Sequence, residues 1–600
     1  MSSFGAPQIV GVQPSAEFYR VAALPRRDWL EEIQRDELRD RMTSFYRTPW
    51  GKQRLHLIQA ATLAELHDLR GVVAPIPAGE GKTLVSFLAP FVVGAERPLL
   101  LVPAGLREKT IRDFKLLSQH WMGPRGITIE DYREYNPYEA RFKGTVIESY
   151  EMLSQKDGQQ IFDFYKPDLV IADEAQKLKN LEAACTKKFV RFMRANTSTM
   201  FVPLSGTMMV RSLKNFWHLM LFALRHHMPL PRTHAELERW CAAIDEKKDF
   251  SPNRPHAGVL FEFATEVDKE KLRQLVASAR GNLAVLNSPE AIEIARKSLQ
   301  NRLKSTPGVI LTEGTTVQAS LRISRLDWSP SRKCQDYLKQ VRETAETPNG
   351  DILLDGVAVW KQCRELGCGF FYRWEPAAPE EWLKRRKKWF KKARTLLAMG
   401  LQNIDSLGQV EEAVAAGRLN YAGVHEAYAG WREIMHTFEI NVVAEWVDDT
   451  ILNHTLAWMK KYPRSIVWVE HRAFGFKLSE LSGVGFCANG GFDQKGVFID
   501  DYRGRQVIAS IESNHEGRNL QAWHRNLVVS MLPNGGMWEQ LLARTHRPFQ
   551  PEDTVFYDWV ASSSEQIEGF QNALRDAACT QHTLGQKQRL LYADHVEEGS

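Results

Sequence analysis

The feature that most constrains how this chain can fold is the glycine-rich run at residues 77–83. An apolar run at 71–76 precedes it and another follows at 84–93, so the order predicts a buried strand, a tight loop and a helix. Gly79 and Gly81 would let backbone N–H groups crowd around a phosphate chain at the helix N-terminus, where the helix dipole favours negative charge. The run therefore predicts a loop that binds the phosphates of a nucleotide.

Three side chains of the same run can supply the chemistry of such a loop. Lys82 can reach the β- and γ-phosphates, and the hydroxyl of Thr83 can ligate Mg²⁺. Glu80 lies between the two glycines and belongs to the predicted nucleotide-binding loop. Because the first glycine is spaced differently from the usual pattern, a glycine turn beside an unrelated lysine is the alternative interpretation.

An acidic pair, Asp173 and Glu174, follows a predicted strand at 168–172. Open α/β sheets place their chemistry at the C-terminal ends of strands. In such a position Asp173 can hold Mg²⁺ through water, and Glu174 can polarise the water that attacks the γ-phosphate. The alternative is a solvated acidic turn, but a glycine loop followed by an acidic pair in this order favours ATP hydrolysis.

Strands and helices alternate in two separate regions of the chain, which predicts the α/β fold class. Strands are predicted at 97–103, 144–150, 168–172 and 200–204 in the first region, and at 465–469, 506–511, 526–531 and 554–559 in the second. The second region has no glycine loop of its own. We therefore expect two parallel-sheet lobes with one nucleotide bound at their interface.

Length and pattern together suggest five segments within the 600 residues. They are an N-terminal extension at 1–50, an ATP-binding lobe at 51–225, a largely helical insertion at 226–450, a second lobe at 451–569, and a C-terminal helix and polar tail at 570–600. An alternating strand is expected at 321–326, inside the insertion.

Composition excludes some classes of protein and leaves others open. The net charge of +5 is too small to establish a polyanionic partner. Seven dispersed cysteines without zinc spacing fit reduced thiols in a cytoplasmic protein, and the start of the chain lacks the pattern of a signal peptide. The apolar stretch at 83–95 is too short to span a bilayer, so no membrane association is expected. The acidic segment at 437–449 is predicted to be a solvated helix face rather than a metal site.

A basic segment at 380–397 interleaves cations with aromatic residues. Its candidate phosphate contacts are Lys384, Arg385, Lys388 and Lys392. One interpretation is a basic helix over a nucleic-acid track, with phosphate neutralisation and base stacking. The other is an amphipathic helix in which Trp382 and Trp389, seven residues apart on one face, pack inward.

Several runs, taken in order, resemble the motifs of superfamily 2 helicases of the Swi/Snf-type branch. The run at 173–180 resembles motif II, and Ser205-Gly206-Thr207 with its trailing helix resembles motif III. Runs at 465–471, 517–521 and 540–550 resemble motifs IV, V and VI. Met208 stands where the family usually has proline, and Gln176 where it usually has histidine. The chain looks most similar to the compact members found in bacteriophages and prophages.

This resemblance implies two RecA-like lobes and a role for further residues. Arg544 and Arg547 would complete the ATP site, and Asn519 would contact nucleic acid. Gln59 lies where related ATPases place an adenine-reading glutamine, although an exposed helical glutamine is the alternative. The remaining implied positions are Gln176, Ser205, Gly206 and Thr207 for coupling between the lobes, and Gly517 and Gln540 at the nucleotide.

The expected function is a nucleic-acid-dependent ATPase that uses ATP and Mg²⁺ to translocate on or remodel DNA. Duplex DNA is the favoured partner because Swi/Snf-like members generally translocate on duplexes; RNA stays open, and no protein partner is indicated. One alternative is a helicase that separates strands in replication or recombination. Another, of a different class, is an ATP-switched nucleic-acid-binding scaffold with negligible turnover.

Overall fold

The computed structural model describes most of the chain. Outside the description are residues 1–10, 28–31, 78, 124–126, 129–144, 208–211, 246–254, 312–316, 351–352, 354–355, 400–406, 420, 440, 531–532 and 598–600. The chain divides into two compact units. The first comprises Met1–Leu181, Cys185–Thr315 and Asp576–Gln588, and the second Glu182–Ala184, Thr316–Arg575 and Arg589–Ser600.

The first unit holds the helices and strands of the N-terminal half. Its helices are α1 (Ala16–Ala23), α2 (Glu32–Tyr46), α3 (Leu57–Leu69), α4 (Lys82–Val93), α5 (Arg107–Leu117), α6 (Tyr150–Ser154), α7 (Gln160–Tyr165), α8 (Ala184–Ala195), α9 (Lys214–Leu224), α10 (His234–Ile244), α11 (Glu266–Ser278) and α12 (Pro289–Ser305). Its strands are β1 (Pro98–Val102), β2 (Ile127–Thr128), β3 (Thr145–Ser149), β4 (Leu169–Asp173) and β5 (Met200–Leu204).

The strands of this unit form one parallel sheet in the order β2-β3-β1-β4-β5. Strands β1, β3 and β4 are buried along their whole length. A parallel sheet is covered on both faces, so its strands are continuous apolar runs, as in β1 and most of β4. Asp173 is the last residue of β4, which places the acidic pair at the C-terminal edge of the sheet.

The apolar run at 71–76 is buried but does not form the continuous strand that the sequence predicts. Val73 makes a parallel bridge to Val309, and Ala74 makes one to Leu204 at the end of β5. Pro75 has no N–H to continue such pairing, and the N–H of Ile76 turns back to the carbonyl of Ala74 at 2.8 Å. The glycine loop nevertheless starts beside the end of β5. This is the position that it would have if residues 71–76 formed a strand next to β5.

The described part of the N-terminal region packs into the first unit. Leu38, Met42 and Tyr46 of α2 join the same apolar core as the helix that follows the glycine loop. Arg27 forms a buried ion pair with Glu65 of α3 at 2.6 Å. The segment predicted as an extension therefore contributes to the core of this unit.

The second unit holds the remaining elements. Its helices are α13 (Arg332–Thr344), α14 (Gly356–Gly367), α15 (Glu380–Ala398), α16 (Leu407–Ala415), α17 (Val424–Ile434), α18 (Thr450–Lys461), α19 (Arg472–Ser482), α20 (Ile511–Asn514) and α21 (Gly535–Thr545); α22 (Ser564–Leu584) begins in this unit and ends in the first, and α23 (Arg589–Tyr592) follows. Its strands are β6 (Ser320–Leu326), β7 (Phe370–Trp374), β8 (Val442–Trp446), β9 (Ser465–Val469), β10 (Phe486–Cys487), β11 (Val507–Ser510), β12 (Arg525–Val528), β13 (Thr554–Val560) and β14 (Asp594–Glu597).

The main sheet of the second unit is also parallel, in the order β10-β11-β9-β12-β13-β6-β14. Two parallel sheets with helices confirm the predicted α/β class. Two strands come from outside the range predicted for the second lobe: β6 from the insertion and β14 from the C-terminal tail. Within the segment predicted as a polar tail, β14 pairs with β6 over four residues.

Besides β6, the described residues of the insertion form helices and two further strands, β7 and β8, which pair in antiparallel fashion. The acidic segment at 437–449 was predicted as a helix face, and that prediction is wrong because β8 occupies its centre. Trp382 and Trp389 of α15 are 3% and 0% exposed in an apolar core shared with α16 and α17. The prediction that these aromatic residues pack inward is confirmed. Among the described residues, no helix has both the length and the apolar character needed to cross a membrane.

Candidate functional site

The glycine loop of the first unit is held by a side chain of α3. Gly81 caps the N-terminus of α4 with φ of 79°, a left-handed conformation that favours glycine. The Gln59 amide donates to the carbonyl oxygens of Glu80 and Gly81, both at 3.2 Å, and accepts from the His56 N–H at 2.8 Å. A Cβ at Gly81 would lie 2.1 Å from Gln59 Nε2, so a side chain there would break this approach.

This geometry changes the interpretation of two predicted residues. Gln59 is 3% exposed, so the alternative of an exposed helical glutamine is wrong, and contact with adenine stays a prediction. Glu80 is also buried, and its carboxylate lies 3.5 Å from Nδ1 of His56. Gly79 has φ of 96°, which again favours glycine.

The acidic pair and the loop lysine meet at the edge of the sheet. Lys82 Nζ lies 3.0 Å from Glu174 Oε1, and both side chains are buried. Glu174 itself has φ of 53°, the left-handed region, directly after β4. In the sequence, Lys82 lies before β1 and Glu174 lies directly after β4. The fold brings these two charged side chains into contact.

Asp173 has the features expected of a cation ligand. Its Oδ1 accepts the backbone N–H of Glu174 at 3.0 Å, and its carbonyl accepts from the Tyr150 hydroxyl at 2.7 Å. Burial, with the charge of Glu174 adding to it, raises the pKa of Asp173 to about 6, and Lys82 opposes the shift. A buried carboxylate whose negative charge is poorly compensated suits a hard cation.

The described residues contain no group of three or more His, Cys, Asp or Glu side chains arranged to hold a metal ion. A cation at Asp173 would therefore need further oxygen ligands from Thr83, water or a bound phosphate. Mg²⁺ is typically held in this way, by one or two protein ligands together with substrate phosphates. The residues present fit Mg²⁺ brought with a nucleotide.

A line of hydrogen bonds leads from Glu174 to the turn after β5. Gln176 donates to Glu174 Oε2 at 3.0 Å and accepts from the Ser205 hydroxyl. Ser205 Oγ in turn accepts the backbone N–H of Thr207 at 3.0 Å. Residues with a predicted coupling role are thus connected to the acidic pair; Met208, the departure from the usual motif, lies outside the described residues.

One residue that contacts this turn was not predicted from the sequence. Gln586, after α22, donates to the carbonyl of Gly206 at 2.7 Å, and both residues are buried. The two positions are 380 residues apart, and no local pattern links them. The C-terminal segment therefore positions the Ser205-Gly206-Thr207 turn.

Gln586→Ala is expected to lower the free energy of unfolding by about 1–3 kcal/mol, because the buried Gly206 carbonyl would lose its partner. Urea unfolding followed by circular dichroism measures this change. Lys587→Ala is the matched control, since Lys587 is exposed beside Gln586 and its change should have no effect. Equal stability of the two variants would contradict the assigned contact.

His218 of α9 secures the turn that follows the acidic pair. Its Nε2 donates to the carbonyl of Leu178 at 2.8 Å. Burial lowers the pKa of His218 from 6.5 to about 4, so the folded protein keeps this ring neutral. The unfolded chain binds the proton at a higher pH than the folded one, which links stability to pH.

The free energy of unfolding is expected to fall as pH drops from about 6.5 toward about 4, because the unfolded state binds a proton on His218 that the folded state excludes. One such proton gives a slope of up to about 1.4 kcal/mol per pH unit. Urea unfolding at several pH values measures it. His218→Gln keeps an N–H donor but cannot titrate, so its slope should be smaller; identical slopes would contradict the assignment.

In the second unit, the two predicted arginines converge on one carbonyl group. Arg544 is buried in α21, and its guanidinium donates to the carbonyls of Gln540 at 2.7 Å and Arg518 at 3.1 Å. Arg547 donates to the same Arg518 carbonyl at 2.9 Å and is partly exposed. The motif V and motif VI runs therefore form one structure within this unit.

The other predicted residues of these runs differ in accessibility. Gly517 has φ of 68°, Asn519 is exposed, and Gln540 is 6% exposed. Glu539, next to Gln540, forms a buried ion pair with Arg589, which also donates to His546. Arg589 is a further residue that sequence reasoning missed, and it anchors α21 from the C-terminal segment.

The basic helix α15 carries two stripes of cations. The inner stripe consists of Arg385, Lys388 and Lys392. All three contact neighbouring groups: Arg385 pairs with Glu381 at 2.7 Å and with Glu433 of α17, Lys388 pairs with Glu426 at 2.7 Å, and Lys392 donates to the Ala422 carbonyl at 2.9 Å. These contacts compete with the predicted role in binding nucleic acid.

The outer stripe consists of Lys384, Lys387 and Lys391, spaced three and four residues apart on one helix face. All three are exposed, and none has a side-chain hydrogen bond or ion pair with another described residue. Only Lys384 was among the predicted contacts. Sequence alone did not show which face of α15 the α17 helix would cover.

Comparison with known proteins supports the motif assignment in the first unit. Residues 125–247 match the SNF2-related domain family. That range includes the acidic pair and the Ser205-Gly206-Thr207 turn; the glycine loop precedes it. A search of curated proteins gave no match. The chain therefore contains a superfamily 2, Swi/Snf-type helicase domain with RecA-like α/β architecture.

Proposed function

We propose that this chain is a DNA-stimulated ATPase that translocates on duplex DNA or remodels it. The observation that carries the proposal is the contact between Lys82 Nζ and Glu174 Oε1 at 3.0 Å. It joins a helix-capping glycine loop, suited to phosphate, to a carboxylate at the C-terminal end of a parallel strand. This arrangement occurs within the unit that matches the SNF2-related domain.

Each residue of the site then has a distinct task. Lys82 binds the β- and γ-phosphates; because its ammonium is shared with Glu174, an arriving phosphate competes for it and frees the carboxylate. Glu174 then orients and activates the attacking water. Thr83 and Asp173 would hold Mg²⁺, and the ion would supply positive charge against the phosphate oxygens.

The turn at Ser205-Gly206-Thr207 responds to the position of the Glu174 carboxylate. Gln176 touches both Glu174 and Ser205, so movement of the Glu174 carboxylate changes the hydrogen bonds of the turn. We assign Arg544 and Arg547 the role of stabilising charge on the γ-phosphate during hydrolysis. Gln540, Gly517 and Gln59 are the further nucleotide contacts in this proposal.

The outer stripe of α15 is the proposed phosphate contact for DNA, together with the exposed Asn519. Replacing Lys384, Lys387 and Lys391 by glutamine is expected to weaken duplex binding. Each lost contact should reduce the slope of log affinity against log salt by about 0.9. Fluorescence anisotropy at several salt concentrations measures this slope.

The inner stripe provides the contrasting variant. Replacing Arg385, Lys388 and Lys392 by glutamine removes contacts with α17 and with the Ala422 carbonyl before it, so it should lower stability while changing the salt slope little. Suppose that the inner-stripe substitutions reduced the slope of log affinity against log salt and the outer-stripe substitutions left it unchanged. The assignment of the DNA-facing side of α15 would then be wrong.

Displacement of the third strand from a DNA triplex tests translocation without requiring strand separation. The proposal expects ATP-dependent triplex displacement and little unwinding of a forked duplex. Unwinding of the fork would instead support a strand-separating helicase. Neither activity, combined with ATP binding and no turnover, would favour an ATP-switched scaffold.

A further inference from the structure

A cavity of about 720 Å³ lies in the second unit against one face of its sheet. Its volume is in the range of sites that bind small organic ligands. The lining comes from β6, β12, β13, β14, helix α18 and the loops beside them. The residues that matter for its chemistry are Arg322, Lys461, Arg525, Trp328, Phe556 and Asp558.

The sheet presents a row of three side chains to this cavity. Arg525, Phe556 and Arg322 are register partners on the neighbouring strands β12, β13 and β6. Register partners project from the same face at the strand spacing of about 4.8 Å. The Arg525 guanidinium lies 3.6 Å from the centre of the Phe556 ring. The floor of the cavity is thus an aromatic ring between two cations.

A third cation enters from α18. Lys461 lies at the end of this helix, with its ammonium 5.2 Å from the Tyr462 ring. Across the described residues, Arg322, Lys461 and Arg525 have no side-chain hydrogen bond or ion pair. Three such cations around one cavity produce a positive potential that a bound anion would satisfy.

Among the lining residues Asp558 is the only acidic one, so cations outnumber carboxylates around the cavity. Asp558 accepts the indole N–H of Trp458 at 2.8 Å. Burial raises the pKa of Asp558, although Trp458, Arg525 and Lys461 oppose the shift. The cavity therefore stays positive, and an anionic ligand suits it better than a cation.

Trp328 gives the cavity a surface for a planar group. Its ring lies 5.3 Å from the ring of His454 with an angle of 25° between them, so the two are stacked. Trp328 is only partly buried. An accessible aromatic face next to cations is the combination that binds bases and their phosphates.

This cavity is separate from the helix that carries Arg544. Successive residues of a strand point to opposite faces of the sheet. Phe556 lines the cavity, whereas the next residue, Tyr557, donates its hydroxyl hydrogen to the carbonyl of Leu541 in α21. The cavity and α21 therefore lie on opposite faces of the same sheet.

We propose that this cavity binds a nucleotide unit, a planar base with its phosphate, as a free mononucleotide or within a single strand of nucleic acid. The base stacks on Trp328, and the phosphate is bound by Arg322, Lys461 and Arg525. This site goes beyond the proposed ATPase, since it uses neither the glycine loop nor α15.

Two probes distinguish the sources of the nucleotide: AMP in equilibrium dialysis, and a fluorescent single-stranded oligothymidylate of about 12 nucleotides in anisotropy. The full chain is compared with Arg322→Gln, with Arg322→Gln combined with Lys461→Gln, and with Trp328→Ala. Lys460→Gln is the matched control, because Lys460 is exposed on α18 outside the lining. Lys82→Ala separates binding at the glycine loop from binding in the cavity.

For at least one probe, the double variant and Trp328→Ala are expected to weaken binding by about tenfold or more. Lys460→Gln and Lys82→Ala should leave that binding unchanged, and turnover of ATP without nucleic acid should be the same in the double variant. An effect on AMP identifies a free nucleotide as the ligand; an effect on the oligonucleotide alone identifies a strand.

The proposal is overturned if neither probe binds, or if both bind equally to the wild type, Arg322→Gln and the double variant. Loss of binding in Lys82→Ala alone would also overturn it, by assigning the probe to the glycine loop. These outcomes do not depend on whether duplex DNA stimulates ATP turnover. Failure of the proposed ATPase activity can therefore be distinguished from failure of the proposed nucleotide binding in the cavity.

Discussion

Glu174→Gln is expected to reduce the rate of ATP hydrolysis by about a hundredfold to ten-thousandfold, the usual contribution of a general base. The substitution keeps the size of the side chain but removes the charge that activates water. Glutamine still offers an oxygen to Lys82, so ATP binding should persist. Steady-state turnover and equilibrium binding of labelled ATP measure the two effects separately.

Glu96→Gln is the matched control for this change, because Glu96 is an exposed glutamate of the same unit. Its turnover should equal that of the wild type. A loss in Glu174→Gln smaller than about tenfold would exclude Glu174 as the base. Parallel loss of ATP binding would instead indicate that the Lys82–Glu174 contact is needed to shape the loop.

Arg547→Ala is expected to lower turnover by about a thousandfold or more, as removal of an arginine finger does in related phosphoryl-transfer enzymes. The reason is that the guanidinium stabilises charge that is greatest in the transition state, so ATP binding should change less than the rate. Arg547 is preferred to Arg544 for this test because Arg547 is partly exposed, whereas Arg544 is buried.

A structural role for Arg547 must be separated from a catalytic one, since it also donates to the Arg518 carbonyl at 2.9 Å. Arg547→Lys keeps the charge and loses the planar fork, so it should recover part of the rate. Thermal unfolding of both variants should match the wild type. A rate unchanged in Arg547→Ala would remove this residue from the mechanism.

The sequence was most informative where function depends on short, local patterns. The glycine loop and the acidic pair were both found because their residues lie next to each other and follow apolar strands. The spacing of Trp382 and Trp389 on one helix face allowed inward packing or base stacking, and the structure shows that both side chains pack inward. These inferences needed only local chain geometry.

Contacts between distant parts of the chain could not be predicted from the sequence. Strands β6 and β14 pair with each other and complete a sheet whose other strands lie between them in sequence. Gln586 reaches Gly206 across 380 residues. On α15, the partition into inner and outer stripes depends on where α17 packs, which the composition of α15 does not encode.

The proposed function requires that this chain hydrolyses ATP with Lys82 and Glu174 and that DNA stimulates the reaction. Its most direct test is the rate of ATP turnover by the full chain with duplex DNA, single-stranded DNA, RNA or no nucleic acid, each compared with Glu174→Gln. We expect turnover that duplex DNA stimulates most and that Glu174→Gln abolishes. Turnover no higher than that of Glu174→Gln under all four conditions would contradict it.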